Sequence, residues 1–245
     1  MSIETRSNGG VLTLCLQEKD SRNALDLSNI AGLRSALLSA RADDSLRLVV
    51  LESGLDRVFS LGMNLEKLAA GAIGRVWDSF GAISDYADLL IEIGTMPVPT
   101  LAVVDGIAAG GGVELACVCD TLIGTDNASF SIAQLRKGIF PFLTSAVLVP
   151  KIGHGCFLHW ALSGQTFAAK RLLELGLIHQ LCAAEERERA VSIFSERVLS
   201  FDAQTLRAGI ATLRAEADAE LRGRVRHALA LFALNCLSLK MDGAR

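Results

Sequence analysis

The 245-residue sequence lacks most of the features that would mark a specialised class of protein. It lacks charge of one sign: 24 Lys and Arg face 27 Asp and Glu, a formal net charge of −3. So even a balance supplies no electrostatic stripe for a nucleic-acid backbone and no polybasic patch for an anionic membrane. It lacks a cysteine framework, because Cys15, Cys117, Cys119, Cys156, Cys182 and Cys236 are scattered. Cys117-Val-Cys119 is too tight for a two-residue metal knuckle and has no neighbouring His. All six are read as buried small apolar residues in a reducing compartment. The four histidines, His154, His159, His179 and His227, are dispersed and support no metal site. No basic-then-apolar signal opens the chain, and its longest apolar run, from Ala228, is broken at Asn235 and too short to span a bilayer. A soluble, cytoplasmic protein is expected. Internal repeats, low-complexity linkers and charge runs are also missing.

What is present is core-forming material. Hydrophobic residues make up 51% of the chain and charged residues 21%, which excludes disorder as the main state and leaves apolar surface for a subunit interface. Strands are expected at Val11–Leu16, Leu46–Leu51, Thr100–Val104, Leu122–Gly124 and Ala128–Phe130, with a short extended stretch at Ile178–Leu181. Helices are expected from Leu27 to about Ala42, Leu65 to Ala70, Trp77 to Ile93 and Gly110 to Cys119, and almost throughout from Phe142 onward. Loops fill Asn23–Asp26 and Phe59–Asn64, and Gly71–Gly74 reads as a mobile stretch. Alternating strands and helices followed by a helical tail indicate an α/β layered core over residues 1–190 and a helical C-terminal part over 191–245.

The most informative segment runs from Pro97 to Asp120. A strand enters a turn, and Gly110-Gly111-Gly112 lets the backbone approach whatever sits above the next helix. The start of that helix exposes N–H groups without intrahelical partners, which suit an oxyanion developing on a polarised carbonyl. Glu114, in the first turn, is near enough to move a proton beside that carbonyl. The loop Phe59-Ser60-Leu61-Gly62-Met63-Asn64-Leu65 follows a strand and can add one more N–H.

These segments, with Arg22–Leu25, Phe130–Pro141 and Leu162–Ile178, resemble the crotonase superfamily, the enoyl-CoA hydratase/isomerase family, in order and spacing over most of residues 5–185. The resemblance implies an α/β spiral of repeated ββα units whose helical C-terminal part mediates trimer contacts, as a homotrimer or dimer of trimers. It implies no cofactor beyond coenzyme A carried in the substrate thioester. It also implies that the Met63 and Gly111 N–H groups form an oxyanion hole. Asn23, Ala24 and Leu61 would lie along the CoA path, with Ser60 and Gly110 beside it. Arg22, Arg57, Lys67 or a neighbouring subunit would meet the CoA phosphates, since the short basic helix that usually follows the family's terminal Asp/Gly stretch is not expected here.

The sequence departs from the family's hydratases at one place. Glu114 matches the first of two glutamates, but Phe130-Ser-Ile-Ala-Gln134 puts an amide where the second belongs. An amide can hold a water but cannot exchange its proton at neutral pH. Three readings follow: a hydratase or dehydratase with Glu114 as proton carrier and Gln134 orienting water or acyl group; a double-bond isomerase with Glu114 as the shuttle; and a non-catalytic acyl-CoA binder. Phe140, Phe142 and Leu143, after and around Pro141, either line a pocket for a bulky, cyclic or branched acyl group or simply cap the core. Thr144 and Ser145 are expected to cap the following helix, Tyr86 and Trp77 to pack in the core, and Asp120 to serve a structural role.

Overall fold

The computed structural model describes residues 3–64 and 76–242. The short helix expected at Leu65–Ala70, the stretch Gly71–Gly74 and Lys67 lie outside the described residues, as do the side chains of Trp77 and Cys236.

The chain opens with strands β1 (Ile3–Asn8), β2 (Val11–Leu16) and β3 (Ala24–Leu25), then helix α1 (Leu27–Arg41). Asp26 caps α1 by accepting from the Ser28 and Asn29 amides. Next come β4 (Leu48–Ser53), β5 (Val58–Ser60), β6 (Gly62–Met63) and α2 (Val76–Gly94), where Pro97 and Pro99 follow the helix end. A third pass gives β7 (Thr100–Val104), β8 (Ile107–Ala109) and α3 (Gly111–Val118). A fourth gives β9 (Thr121–Thr125), β10 (Ser129–Ser131), a 3-10 turn at Gln134–Lys137 and α4 (Phe142–Ile152).

Each pass after the first places one strand in each of two sheets. With two later strands, β11 (Thr166–Ala168) and β12 (Gln180–Cys182), the six-stranded sheet runs β1-β2-β4-β7-β9-β12, with β1 antiparallel to β2 and the other pairs parallel. The four-stranded sheet runs β11-β10-β8-β5, and β3 pairs with β6. This is the expected spiral of ββα units. The loop expected at Phe59–Asn64 is instead strand at both ends, because these residues pair with β8 and β3. The strands of the four-stranded sheet are three residues long and β3 and β6 only two, which leaves little periodicity to read.

The inner strands of the larger sheet are buried on both faces, which explains their unbroken apolar runs. Val49, Leu51, Ala102 and Val104 enter the main core with α1, α2 and α3. Their neighbours Leu48, Val50, Leu101 and Val103 point the other way, against Ala190 and Val198 of helix α7 (Arg187–Ser200). The boundary expected near residue 190 falls inside this helix.

The C-terminal part comprises α5 (His154–Ser163), β11 (Thr166–Ala168), α6 (Ala169–Glu174), β12 (Gln180–Cys182), α7 and the long α8 (Ala203–Asp242). Helix α8 packs back along α2 and α4. Arg214 on α8 reaches Asp120 at 2.6 Å, and the same carboxylate oxygen accepts from the Thr100 amide at 2.8 Å. Asp120 therefore ties α8 to the end of α3, the structural role expected of it. Cys15, Cys117 and Cys119 are buried, but Cys156 and Cys182 are only half-buried, so uniform cysteine burial does not hold. No helix among the described residues is long and apolar enough to cross a membrane.

Candidate active site

The site begins with backbone packed against backbone. Gly62 has φ +79°, and a Cβ there would come within 2.5 Å of the Gly111 nitrogen. A Cβ on Gly112 would sit 2.2 Å from the Ser60 carbonyl oxygen. Glycine at both positions lets the β5–β6 segment lie directly on the start of α3. The Asn64 amide donates to Leu25 O at 2.8 Å, and because alternate amides of a parallel strand face its partner, the Met63 N–H turns away from β3. Gly111 is the first residue of α3, so its N–H has no acceptor within the helix.

Met63 and Gly111 line one cleft of about 200 Å³, together with Leu61, Gly110, Glu114 and Gln134. Phe140, Phe142 and Leu143 form an apolar wall, in which the Phe140 and Phe142 rings stand 5.0 Å apart. Phe232 of α8 also lines the cleft, and the Phe140 amide donates to Asn235 Oδ1 on the same helix at 3.4 Å. Lys137 also lines the cleft.

Glu114 is 4% exposed and is the single carboxylate among the described residues lining this cleft. Burial pushes its carboxyl above the usual carboxylate range, and hydrogen bonds from Thr144 and Tyr86 pull partly in the other direction. Thr144 Oγ1 donates to Glu114 Oε1 at 2.5 Å. Gln134 Nε2 in turn donates to Thr144 Oγ1 at 3.0 Å, while Gln134 Oε1 is buried without a partner. Tyr86 donates to Gly111 O at 2.7 Å and also faces the Glu114 carboxyl.

Of the residues singled out in the sequence, the structure brings together Leu61, Met63, Gly110, Gly111, Glu114, Gln134, Phe140 and Phe142. Asn23, Ala24 and Ser60 are buried and are not among the residues that line this cleft. Asn23 is 1% exposed, and its side chain bonds Ser53 Oγ, Phe59 O, Leu16 O and the Glu18 amide. Ser60 donates to Asn23 O at 2.7 Å and accepts from the Gly62 amide at 3.1 Å. These side chains hold β6 in place and have no polar atom left for a ligand. The expectation that Thr144 and Ser145 cap α4 also fails: the cap position is Pro141, Thr144 turns inward to Glu114, and Ser145 bonds back to Phe142 O. Tyr86 is buried in the core as expected, but the reach of its hydroxyl to the start of α3 had no signal in local spacing. No group of three or more potential metal ligands occurs among the described residues.

Comparison with known proteins gives this geometry its context. Residues 6–233 match the family model described as Enoyl-CoA hydratase/isomerase. The chain is 27% identical over 208 residues to the rat mitochondrial enoyl-CoA hydratase domain-containing protein 3, covering 85% of this chain and 68% of that protein. It is 28% identical over 186 residues to carnitinyl-CoA dehydratase of Salmonella paratyphi A, covering 76% and 69%. Among solved structures, Pseudomonas aeruginosa AtuE superposes with a TM-score of 0.83 at 28% identity, covering 93% of this chain and 90% of the other. An enoyl-CoA hydratase from Bacillus halodurans shares the fold with a TM-score of 0.88 at 24% identity, covering 96% and 95%. The match runs through both sheets, the cleft and most of the long terminal helix, and on that ground the chain belongs to the enoyl-CoA hydratase/isomerase family of enzymes.

Proposed function

We propose that the protein adds water to, or removes it from, an α,β-unsaturated acyl-CoA, with Glu114 as the one proton-carrying group. In this reading the Met63 and Gly111 amides hold the thioester oxygen as it gains negative charge, which lowers the barrier to forming the enolate. For dehydration, Glu114 takes the α-proton of a β-hydroxyacyl thioester, the electron pair moves into the enolate, and the leaving hydroxyl collects that proton from Glu114. Hydration retraces the path. Carboxylate, proton and water balance without a second acid.

The observation that carries this reading is the presence of one buried carboxylate on a cleft that two amide-presenting segments also line. The name of the Salmonella relative, a CoA-ester dehydratase, agrees with it. The phenylalanine-lined wall suits a compact branched or cyclic acyl group. A trimeric assembly belongs to the same reading, and exposed Leu213 and Leu234 on α8 are suited to a subunit contact.

One observation favours a second reading, the double-bond isomerase. Thr144 Oγ1 bridges Glu114 and Gln134, so the two side chains are joined through a hydroxyl and not through a shared water. A base that moves a proton between two carbons needs no such water. Turnover of a panel of enoyl-CoA esters in oxygen-18 water separates the two. Labelled β-hydroxyacyl product supports hydration, and a shifted double bond without label supports isomerisation. Binding of the esters with no turnover of any kind overturns both.

A further inference from the structure

We propose that Gln134 and Thr144 form a positioning pair that fixes the direction of the hydrogen bond to Glu114, so that the carboxylate is held ready as an acceptor of a proton. The proposal rests on the reading of Glu114 as the proton carrier and goes beyond it by giving the amide at position 134 a task that needs no water.

Gln134 Nε2 only donates, and it fills a lone pair of Thr144 Oγ1 at 3.0 Å. Thr144 is fully buried, so no solvent competes for its single hydroxyl proton. With one side of the oxygen occupied by the amide, that proton points to Glu114 Oε1, and the 2.5 Å separation is the short contact of a hydroxyl on a charged acceptor. A carboxylate at position 134 would only accept. It would compete with Glu114 for the same proton and place a like charge across one hydroxyl group. The glutamine is thus not a weakened acid but a donor that orients the hydroxyl.

Other groups face Glu114 and have to be accounted for. Tyr86 on α2 divides its proton between Gly111 O and the carboxyl. Cys117, one turn further along α3, is kept a neutral thiol by burial, pushed up to about 12. Lys137 stands at the cleft wall from the 3-10 turn. None of these contacts changes when Thr144 is altered.

The test uses the full-length protein labelled with carbon-13 at glutamate carboxyls, the Glu114 resonance being identified by its loss in Glu114→Gln. Its titration is followed beside the pH profile of kcat/KM. In Thr144→Val the Glu114 titration and the acid limb both move upward by about one pH unit, with KM little changed. Thr144→Ser restores the parent values. Gln134→Glu, at a half-buried turn that tolerates a polar group, moves the Glu114 titration upward as well, and serves if the valine variant does not fold. Unshifted titration in Thr144→Val or in Gln134→Glu overturns the pairing. A Glu114→Gln variant as active as the parent overturns instead the reading of Glu114 as proton carrier, and the carboxyl titration still decides the pairing.

Discussion

The hydroxyl of Tyr86, on α2, donates to the carbonyl oxygen of Gly111 at 2.7 Å, so a helix 25 residues upstream anchors the first turn of α3. The contact acts on the peptide that follows the Gly111 amide, and it meets the Glu114 carboxyl on its other side. Replacing Tyr86 by Phe leaves the ring in its buried place and removes this bond together with the contact to the Glu114 carboxyl. The expected cost in stability is about 0.5–1.5 kcal/mol by urea unfolding. The expected loss in turnover is larger, roughly tenfold, with KM little changed, because the anchored turn carries both the amide and the carboxylate. Parent-level turnover in this variant would show that the anchor is not needed.

Glu114 gives a prediction of opposite sign for stability and for activity. Its folded-state proton affinity is raised by burial, so the folded protein holds that proton more tightly than the unfolded chain does. The resulting contribution to stability is present in full below the unfolded carboxylate value of about 4.3 and is lost as pH rises through the folded value. Glu114→Gln removes the dependence. The variant melts near the parent at about pH 4 and above the parent at pH 7, while turnover falls by about 10²-fold or more and CoA-ester binding is retained. A melting difference that is constant with pH would contradict the assignment.

Asn23 gives the reverse pattern. Its side chain spans β2, β4 and β5 through bonds of 2.7–3.3 Å, and its backbone has φ +56°. Asn23→Ala strands several buried polar groups and strains the backbone, at an expected cost of about 2–3 kcal/mol. At a temperature where the variant stays folded, its KM for a CoA ester matches the parent. A selective rise in KM would return Asn23 to the ligand's path.

Much of this architecture is legible in the sequence, and the part that is not has a physical cause. Strands β2 and β7 have the bounds their apolar runs predict, and α1 and α3 end within a residue or two of expectation. Those elements are buried, and burial leaves a pattern. Strand β1 escapes notice because it lies at an edge with exposed polar side chains throughout most of its length. Strands β3, β5, β6, β8 and β11 are too short to have a period, and they assemble the surface that carries the cleft. Glu114 and the glycine triplet stand out because a helix start and its backbone freedom are local properties. Thr144 and Tyr86 do not, since what matters in each is one hydroxyl meeting a group 25 or 30 residues away. A threonine three residues after a proline suits a helix start equally well in one dimension. Its inward turn is decided by packing.

Phe232 supplies a prediction about acyl preference. It is 9% exposed and reaches the cleft from α8, which also lies against Phe140 through Asn235. Phe232→Ala widens that end without altering Glu114 or the glycine segments. The ratio of kcat/KM for a bulky over a straight-chain acyl-CoA is expected to rise by about tenfold. An unchanged ratio would place the acyl group elsewhere in the cleft.

The seating of Gly62 on the Gly111 nitrogen joins two successive coils of the spiral at a point where no side chain intervenes. Tolerance there is set by main-chain atoms, which have no rotamers to yield. A slip of one coil over the next that reaches this junction displaces the Gly111 amide directly. Distant alterations in the stack would then register first as slower chemistry, well before any melting of the molecule.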